Sequence, residues 1–175
     1  MADGQSALLI PVPEAEALVG PWRELYDPSA EVGIPAHITV LYPFVPRDDV
    51  DDPLLEALTG HFAQVPAFDY RFPKSDRFPG IIYLAPEPAQ RFRTIITDIT
   101  SRYPAYPPYG GDHADVIPHL TVADRRARLD MVLMDRVERG LARGLPFVAR
   151  AREVWLMTCR RKRWSRRARF PLRAG

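Results

Sequence analysis

A single cysteine, Cys159, is all the chain offers in 175 residues. One thiol forms no internal disulfide and no thiolate zinc cluster, and it suits a reducing compartment. Long apolar runs are missing as well. No stretch approaches the roughly 18 apolar residues that span a bilayer. The opening MADGQSALLIPVPEAEALVG has neither the basic n-region nor the apolar length of a signal peptide. The expected setting is cytoplasmic, away from membranes. Lysine is scarce, two against 22 arginines, a bias of the kind a GC-rich genome imposes. Low-complexity segments and obvious linkers are lacking, so residues 1–175 are expected to pack as one unit. What is there is ordinary for a globular domain: 46% hydrophobic and 26% charged residues, enough for a core without staples.

The charge is unevenly spread. Residues 1–60 carry 11 acidic and two basic side chains, whereas residues 148–175 carry ten basic and one acidic. A basic segment of this kind steers phosphate-bearing ligands or is simply a solvated face.

Periodicity divides the chain into alternating elements. SALLIPV reads as a strand, and PEAEALVGPWRELY as a helix with Pro21 as a kink or boundary. AHITVLYPF reads as a second strand. DDPLLEALTGHFAQV reads as a helix capped by Asp52 with Pro53 first in the helix. Next come a strand in AFDYRF, a turn around PKSD, and a strand in GIIYLAP. QRFRTIITDITSRY follows as an amphipathic helix with Phe92, Ile95, Ile96 and Ile99 inward. After a loop dense in Pro, Gly and Tyr, IPHLTVAD is a strand and DMVLMDRVERGLARG a helix. Alternation then runs unbroken from Phe147 to Met157, and a turn and final strand close the chain. The two halves have similar order.

Only four histidines occur, and two carry the same signature. AHITV at 36–40 is matched by PHLTV at 118–122, an internal repeat. Strand side chains alternate faces, so His37 and Thr39 point one way and Ile38 and Val40 the other. The same holds for His119 and Thr121 against Leu120 and Val122. If the halves pack about a pseudo-twofold axis, two imidazoles and two hydroxyls converge on one cleft. That set suits phosphodiester chemistry. Imidazole titrates near neutrality, so one histidine takes the proton of the attacking oxygen while the other gives one to the leaving oxygen. Threonine hydroxyls hold the nonbridging oxygens. The scheme calls for no metal and no cofactor.

With RFPGIIYLAP between them, AHITV and PHLTV resemble the two-histidine (2H) phosphoesterase superfamily, in its 2'-5' RNA ligase and cyclic phosphodiesterase branch. The resemblance runs from ALLIPV to WSRRARFPL. It implies a bilobal α+β fold, a pseudo-twofold duplication with an antiparallel sheet in each lobe, helices on the outer faces and a central cleft. It implies His37 and His119 as acid and base, and Thr39 and Thr121 as phosphate holders. It further implies hydrolysis or ligation of RNA-type phosphodiesters, most readily 2',3'-cyclic phosphates or 2'-5' linkages. The chain is short and has no obvious RNA-binding insertion, which favours a small cyclic phosphate over a long RNA. The expected partners are therefore RNA ends or small cyclic nucleotides, bound by a monomer.

Other residues are weaker candidates. Tyr42 is a candidate to stack a base, although a regular strand turns it to the core face. Arg77 and Phe78, placed on a turn, could pair with phosphate and stack a base. Tyr106 and Tyr109 precede the second motif on a loop that could do the same or act as a rigid connector. Arg160, Arg161 and Arg163 flank Trp164, a pattern that fits RNA contact as well as a solvated hairpin tip. His61 and His113 read as structural or exposed. Two competing functions are a noncatalytic RNA-binding module using the same cleft, and a metal hydrolase built on His37, His113 and His119. The first does not need both imidazoles; the second lacks a standard ligand spacing.

Overall fold

In β1 (Ser6–Pro11), alternate side chains serve two different faces. Leu8 and Ile10 turn into the main core, while Ala7 and Leu9 join a smaller cluster on the opposite face. β1 lies between β2 (His37–Leu41) and β8 (Glu153–Arg160), and β9 (Arg163–Pro171) completes a four-stranded antiparallel sheet in the order β2-β1-β8-β9. This computed structural model describes residues 3–111, 116–124 and 130–174. Among them are two further antiparallel sheets. β3 (Phe68–Phe72) pairs with β7 (Phe147–Ala151), and β4 (Ser75–Phe78), β5 (Ile81–Leu84) and β6 (Leu120–Asp124) form the third. The mixture of helices and antiparallel sheets is the expected class.

The helices bury the stripes that their periodicity marks. α4 (Gln90–Arg102) turns Phe92, Ile95, Ile96 and Ile99 inward, as expected. α3 (Asp52–Phe62) buries Leu58 and Phe62. Its cap is Asp51, not Asp52: the Asp51 carboxylate accepts from the Leu54 N–H at 2.9 Å, which puts Pro53 second in the helix. α1 (Glu16–Tyr26) runs through Pro21 without ending there. The short α2 (Pro28–Glu31) follows directly, and α5 (Met131–Leu141) is capped by Asp130. α1 approaches α5 closely: a Cβ on Gly140 would lie 2.3 Å from the Trp22 ring. No helix among the described residues is long and apolar enough to cross a membrane.

Two strand expectations change. β4 occupies SDRF, where the sequence suggests a turn, because β5 offers it a hydrogen-bonding edge. The alternating run from Phe147 to Met157 is two strands broken at Arg152, since β7 pairs with β3 and β8 with β1. Alternation marks a strand's faces but says nothing about its partner.

A topological repeat underlies the order. Leaving aside the short α2, strand, helix, motif strand, helix, strand occurs as β1-α1-β2-α3-β3 and again as β5-α4-β6-α5-β7, and the last strands of the two units pair with each other. The two motif strands, β2 and β6, come into contact.

Candidate active site

Each motif strand carries an irregularity at the same place. Leu8 of β1 faces Leu41 and Leu9 faces Thr39, so Val40 is the extra residue. Ile82 of β5 faces Ala123 and Tyr83 faces Thr121, so Val122 is the extra residue. A bulge of this kind shifts every later side chain to the other face. Hence Val40 and Leu41 are both buried, as are Val122 and Ala123, and the residue three past each threonine returns to the cleft. Those residues are Tyr42 and Asp124.

All of these line one cavity of about 570 Å³: His37, Thr39 and Tyr42 from the first unit, and His119, Thr121 and Asp124 from the second. Tyr42 thus lies on the cleft side and not on the core face that a regular strand dictates. Its hydroxyl donates to Gln5 Oε1 at 2.6 Å. A second cavity, of about 690 Å³, lies between α3 and α4 and holds none of the four motif residues. His61 lines it.

The two imidazoles are pinned by the same device. His37 Nδ1 lies 2.8 Å from the Pro35 carbonyl, and His119 Nδ1 lies 2.7 Å from the Ile117 carbonyl, each two residues back. A carbonyl only accepts, so in each neutral ring Nδ1 carries the hydrogen and Nε2 keeps its lone pair.

Their surroundings differ. His37 stands near a buried polar network. Arg23 donates through Nε to Asp27 Oδ2 at 2.9 Å and through Nη2 to Ser29 Oγ and the Ile34 carbonyl, each at 3.0 Å. Asp27 in turn accepts from the Ser29 N–H and hydroxyl, and Asp27 and Ser29 line the cavity. Burial first, and then the Arg23 charge, lower the His37 pKa to about 4. His119 sits instead among aromatic rings. Phe78 stacks on Tyr83 with centroids 4.0 Å apart, and both meet the imidazole edge-on at 5.3 and 5.5 Å. Burial also lowers its pKa.

Other candidates separate. Tyr109 reaches the cavity, hydrogen-bonds Thr39 through its hydroxyl, and donates its backbone N–H to the Tyr42 carbonyl at 2.7 Å. It holds φ at +53°, rare for a residue with a Cβ. Tyr106 packs edge-on against Phe44 instead. Phe78 lines the cavity. Arg77 is on strand β4 and not on a turn. It bonds the Glu138 carboxylate through two nitrogens and Asp135 at 2.7 Å, both on α5, and does not line the cavity. Trp164 is buried beneath the Val32–Ile34 segment. His113 falls outside the described residues, and so the metal reading that used it has no geometry here. Sequence reading missed Arg23, Asp27, Ser29 and Asp124. Only the sameness of position three past each threonine could have pointed to Asp124.

The sequence model of the 2'-5' RNA ligase superfamily matches residues 11–163. The chain belongs to that superfamily. No curated protein matches it in sequence. Among solved structures, it resembles E. coli LigT in its apo form at a TM-score of 0.60 and 18% identity, over 98% of this chain and 99% of that one. TT0787 of Thermus thermophilus gives 0.60 at 17%, and E. coli LigT complexed with 3'-AMP gives 0.56 at 15%, with the same coverage. At such identities the likeness is one of fold: this 2'-5' RNA ligase superfamily member has the LigT-like phosphoesterase architecture.

Proposed function

We propose that the protein is a metal-independent phosphoesterase that hydrolyses, or in reverse forms, RNA-type phosphodiesters, above all 2',3'-cyclic phosphates or 2'-5' linkages. His37 and His119 are its acid–base pair, and Thr39 and Thr121 hold the phosphate. The observation that carries this reading is the convergence of two imidazoles and two hydroxyls in one cavity, with both Nδ1 atoms tied to carbonyls. Each Nε2 is then available to a ligand.

For cyclic phosphate hydrolysis, His37 is the base. Burial and Arg23 keep it neutral, so its Nε2 takes a proton from water as the water oxygen bonds to phosphorus. Protonated His119 gives its Nε2 proton to the departing ribose oxygen as the ring P–O bond breaks. Phosphate in the cleft favours that protonated form, because a nearby anion raises an imidazole pKa. The threonine hydroxyls donate to the nonbridging oxygens, on which charge builds. Roles exchange in the ligation direction. Phe78 and Tyr42 offer aromatic surface for the base, and Tyr109 keeps Thr39 oriented. The protein acts as a monomer in the cytoplasm, where lone Cys159 stays reduced.

Turnover of 2',3'-cyclic nucleotides and 2'-5' linked dinucleotides in EDTA tests this. Hydrolysis by the wild type, with loss of about two orders of magnitude or more in His37→Ala and in His119→Ala, is the expected result. No turnover of any of these substrates by the wild type sinks the proposal. Activity that vanishes only in chelator removes its metal-independent part.

A further inference from the structure

The cationic C-terminal hairpin plays no part in the chemistry above. Seven basic side chains lie between Arg160 and Arg169, and among the described residues none has a carboxylate within ion-pair distance. Arg23, Arg71, Arg77, Arg150 and Arg152 each have one. Arg163 donates only to a neutral acceptor, the Glu31 carbonyl, at 2.9 Å. The charge of β9 and its turn therefore meets no neutralising carboxylate among the described residues.

The turn adds a second observation. Arg160 pairs with Arg163, leaving a two-residue connection of Arg161 and Lys162 with φ at +52° and +62°. Turns with positive φ at both central residues favour Asn-Gly. Side chains with a Cβ are strained there, and strain of this sort accompanies function. What Arg and Lys contribute, and Asn-Gly does not, is two cations at the tip.

The sheet ties this hairpin to the site. Thr39 pairs with Leu9, Leu9 with Trp155 and Trp155 with Arg169. Three strand spacings set β9 about 14 Å from the Thr39 strand. Trp155 is half-buried on the cleft-side face, with the Arg166 guanidinium 4.5 Å from its ring centroid and its indole N–H on Glu153 Oε1. Ile34 packs among Ala7, Leu9 and Met157 between them. No β9 residue lines the cavity, and buried Ile34 lies between the two, so a ligand that touches both must span that distance. Of the large apolar side chains that stand exposed, none is on the hairpin, so it lacks the insertion residues of a membrane-surface element.

We infer that the β8–β9 hairpin is a phosphate-tracking surface for single-stranded RNA, and that the favoured substrate is an RNA strand of several nucleotides rather than an isolated cyclic nucleotide. This rests on the phosphodiester chemistry proposed above. Spaced cations beside an aromatic–guanidinium stack are the features by which sequence-tolerant single-strand binders hold RNA, and they reverse the small-substrate expectation drawn from chain length.

The test is the affinity of a fluorescein-labelled ten-nucleotide RNA, followed by anisotropy across a salt series. Wild type is compared with Arg161→Asn/Lys162→Gly and with Arg166→Gln/Arg167→Gln/Arg169→Gln. The first variant relieves the turn and is expected to melt higher than wild type, so that weaker binding cannot come from misfolding. Each phosphate contact removed should shrink the slope of log affinity against log salt by about 0.7. The triple variant should lose about tenfold or more in affinity at low salt, with KM rising for an oligonucleotide 2',3'-cyclic phosphate and not for the mononucleotide. Unchanged affinity and slope in both variants overturn the inference. So does loss of binding to phosphatidylserine vesicles with RNA binding intact. If wild type turns over no substrate yet binds RNA through the hairpin, the catalytic proposal fails and the surface assignment stands.

Discussion

The two histidines occupy seats built alike in backbone and unlike in side chains. Both follow the same register, with a bulge at the valine after the threonine and Nδ1 on the carbonyl two residues back. Yet His37 neighbours a buried arginine network, and His119 leans on Phe78 and Tyr83. The repeated backbone positions both rings; the unlike surroundings are what the proposed division of tasks rests on. A fixed cation disfavours a second positive charge, which suits a base. An aromatic wall orients a ring without adding charge, which suits an acid whose proton the substrate phosphate retains.

The largest effect that probes this comparison comes from the imidazoles. His37→Ala and His119→Ala should each lower kcat/KM by about 100-fold or more. In the pH profile of kcat/KM for cyclic phosphate hydrolysis, which reports the free enzyme, wild type should peak below pH 6.5. Activity should fall toward low pH as His37 becomes protonated, and toward high pH as His119 loses its proton. A profile rising steadily above pH 7 breaks the division of roles.

Removing the arginine of the polar seat comes next. Arg23→Met leaves Asp27 buried without its ion-pair partner and should cost about 3–5 kcal/mol in urea unfolding. Among molecules that remain folded, the acid limb of the pH profile should move upward, because the charge that lowers the His37 pKa is gone. An unmoved limb means that Arg23 is structural only. The aromatic seat responds differently. Phe78→Ala should lower kcat/KM by roughly tenfold through loss of ring orientation and base contact, without displacing the acid limb.

The smallest effect is on stability. The His37 pKa is about 4 in the folded chain against 6.5 when free, so as pH falls the unfolded chain takes the proton first. Stability contributed by neutral His37 is complete above pH 6.5 and drains away toward pH 4. His61 and His119, also lowered by burial, add to the trend. Calorimetry should show Tm falling by several degrees over that window, less steeply in His37→Asn. Equal slopes in the two proteins remove His37 from the linkage.

Much of the architecture is legible in the linear pattern. The inward stripe of α4, the two motif strands and the pairing of histidine with threonine on one face all follow from periods of 3.6 and 2.0. The errors have a common physical origin. Tyr42 falls on the core face of a regular strand, and the bulge at Val40 reverses it. The run from Phe147 to Met157 looks continuous because alternation survives a change of partner strand. Among aromatic residues near the basic segment, Trp164 draws notice through its neighbours in sequence, yet it is buried and Trp155 lies at the half-exposed position beside Arg166.

The sequence by itself determined that an imidazole and a hydroxyl share one face of each motif strand, because side-chain type and spacing of two along a strand are local properties. It also determined where charge accumulates. Only the tertiary structure decided what surrounds each imidazole, since Arg23 and Asp27 come to His37, and Phe78 and Tyr83 to His119, from other elements of the chain. The tertiary structure likewise decided that Arg77 is held by Glu138 and Arg150 by Asp69, while the cations between Arg160 and Arg169 meet no carboxylate among the described residues. Charge and type are written residue by residue, but partnership depends on which distant backbone segments hydrogen-bond and on how the cores beneath them pack.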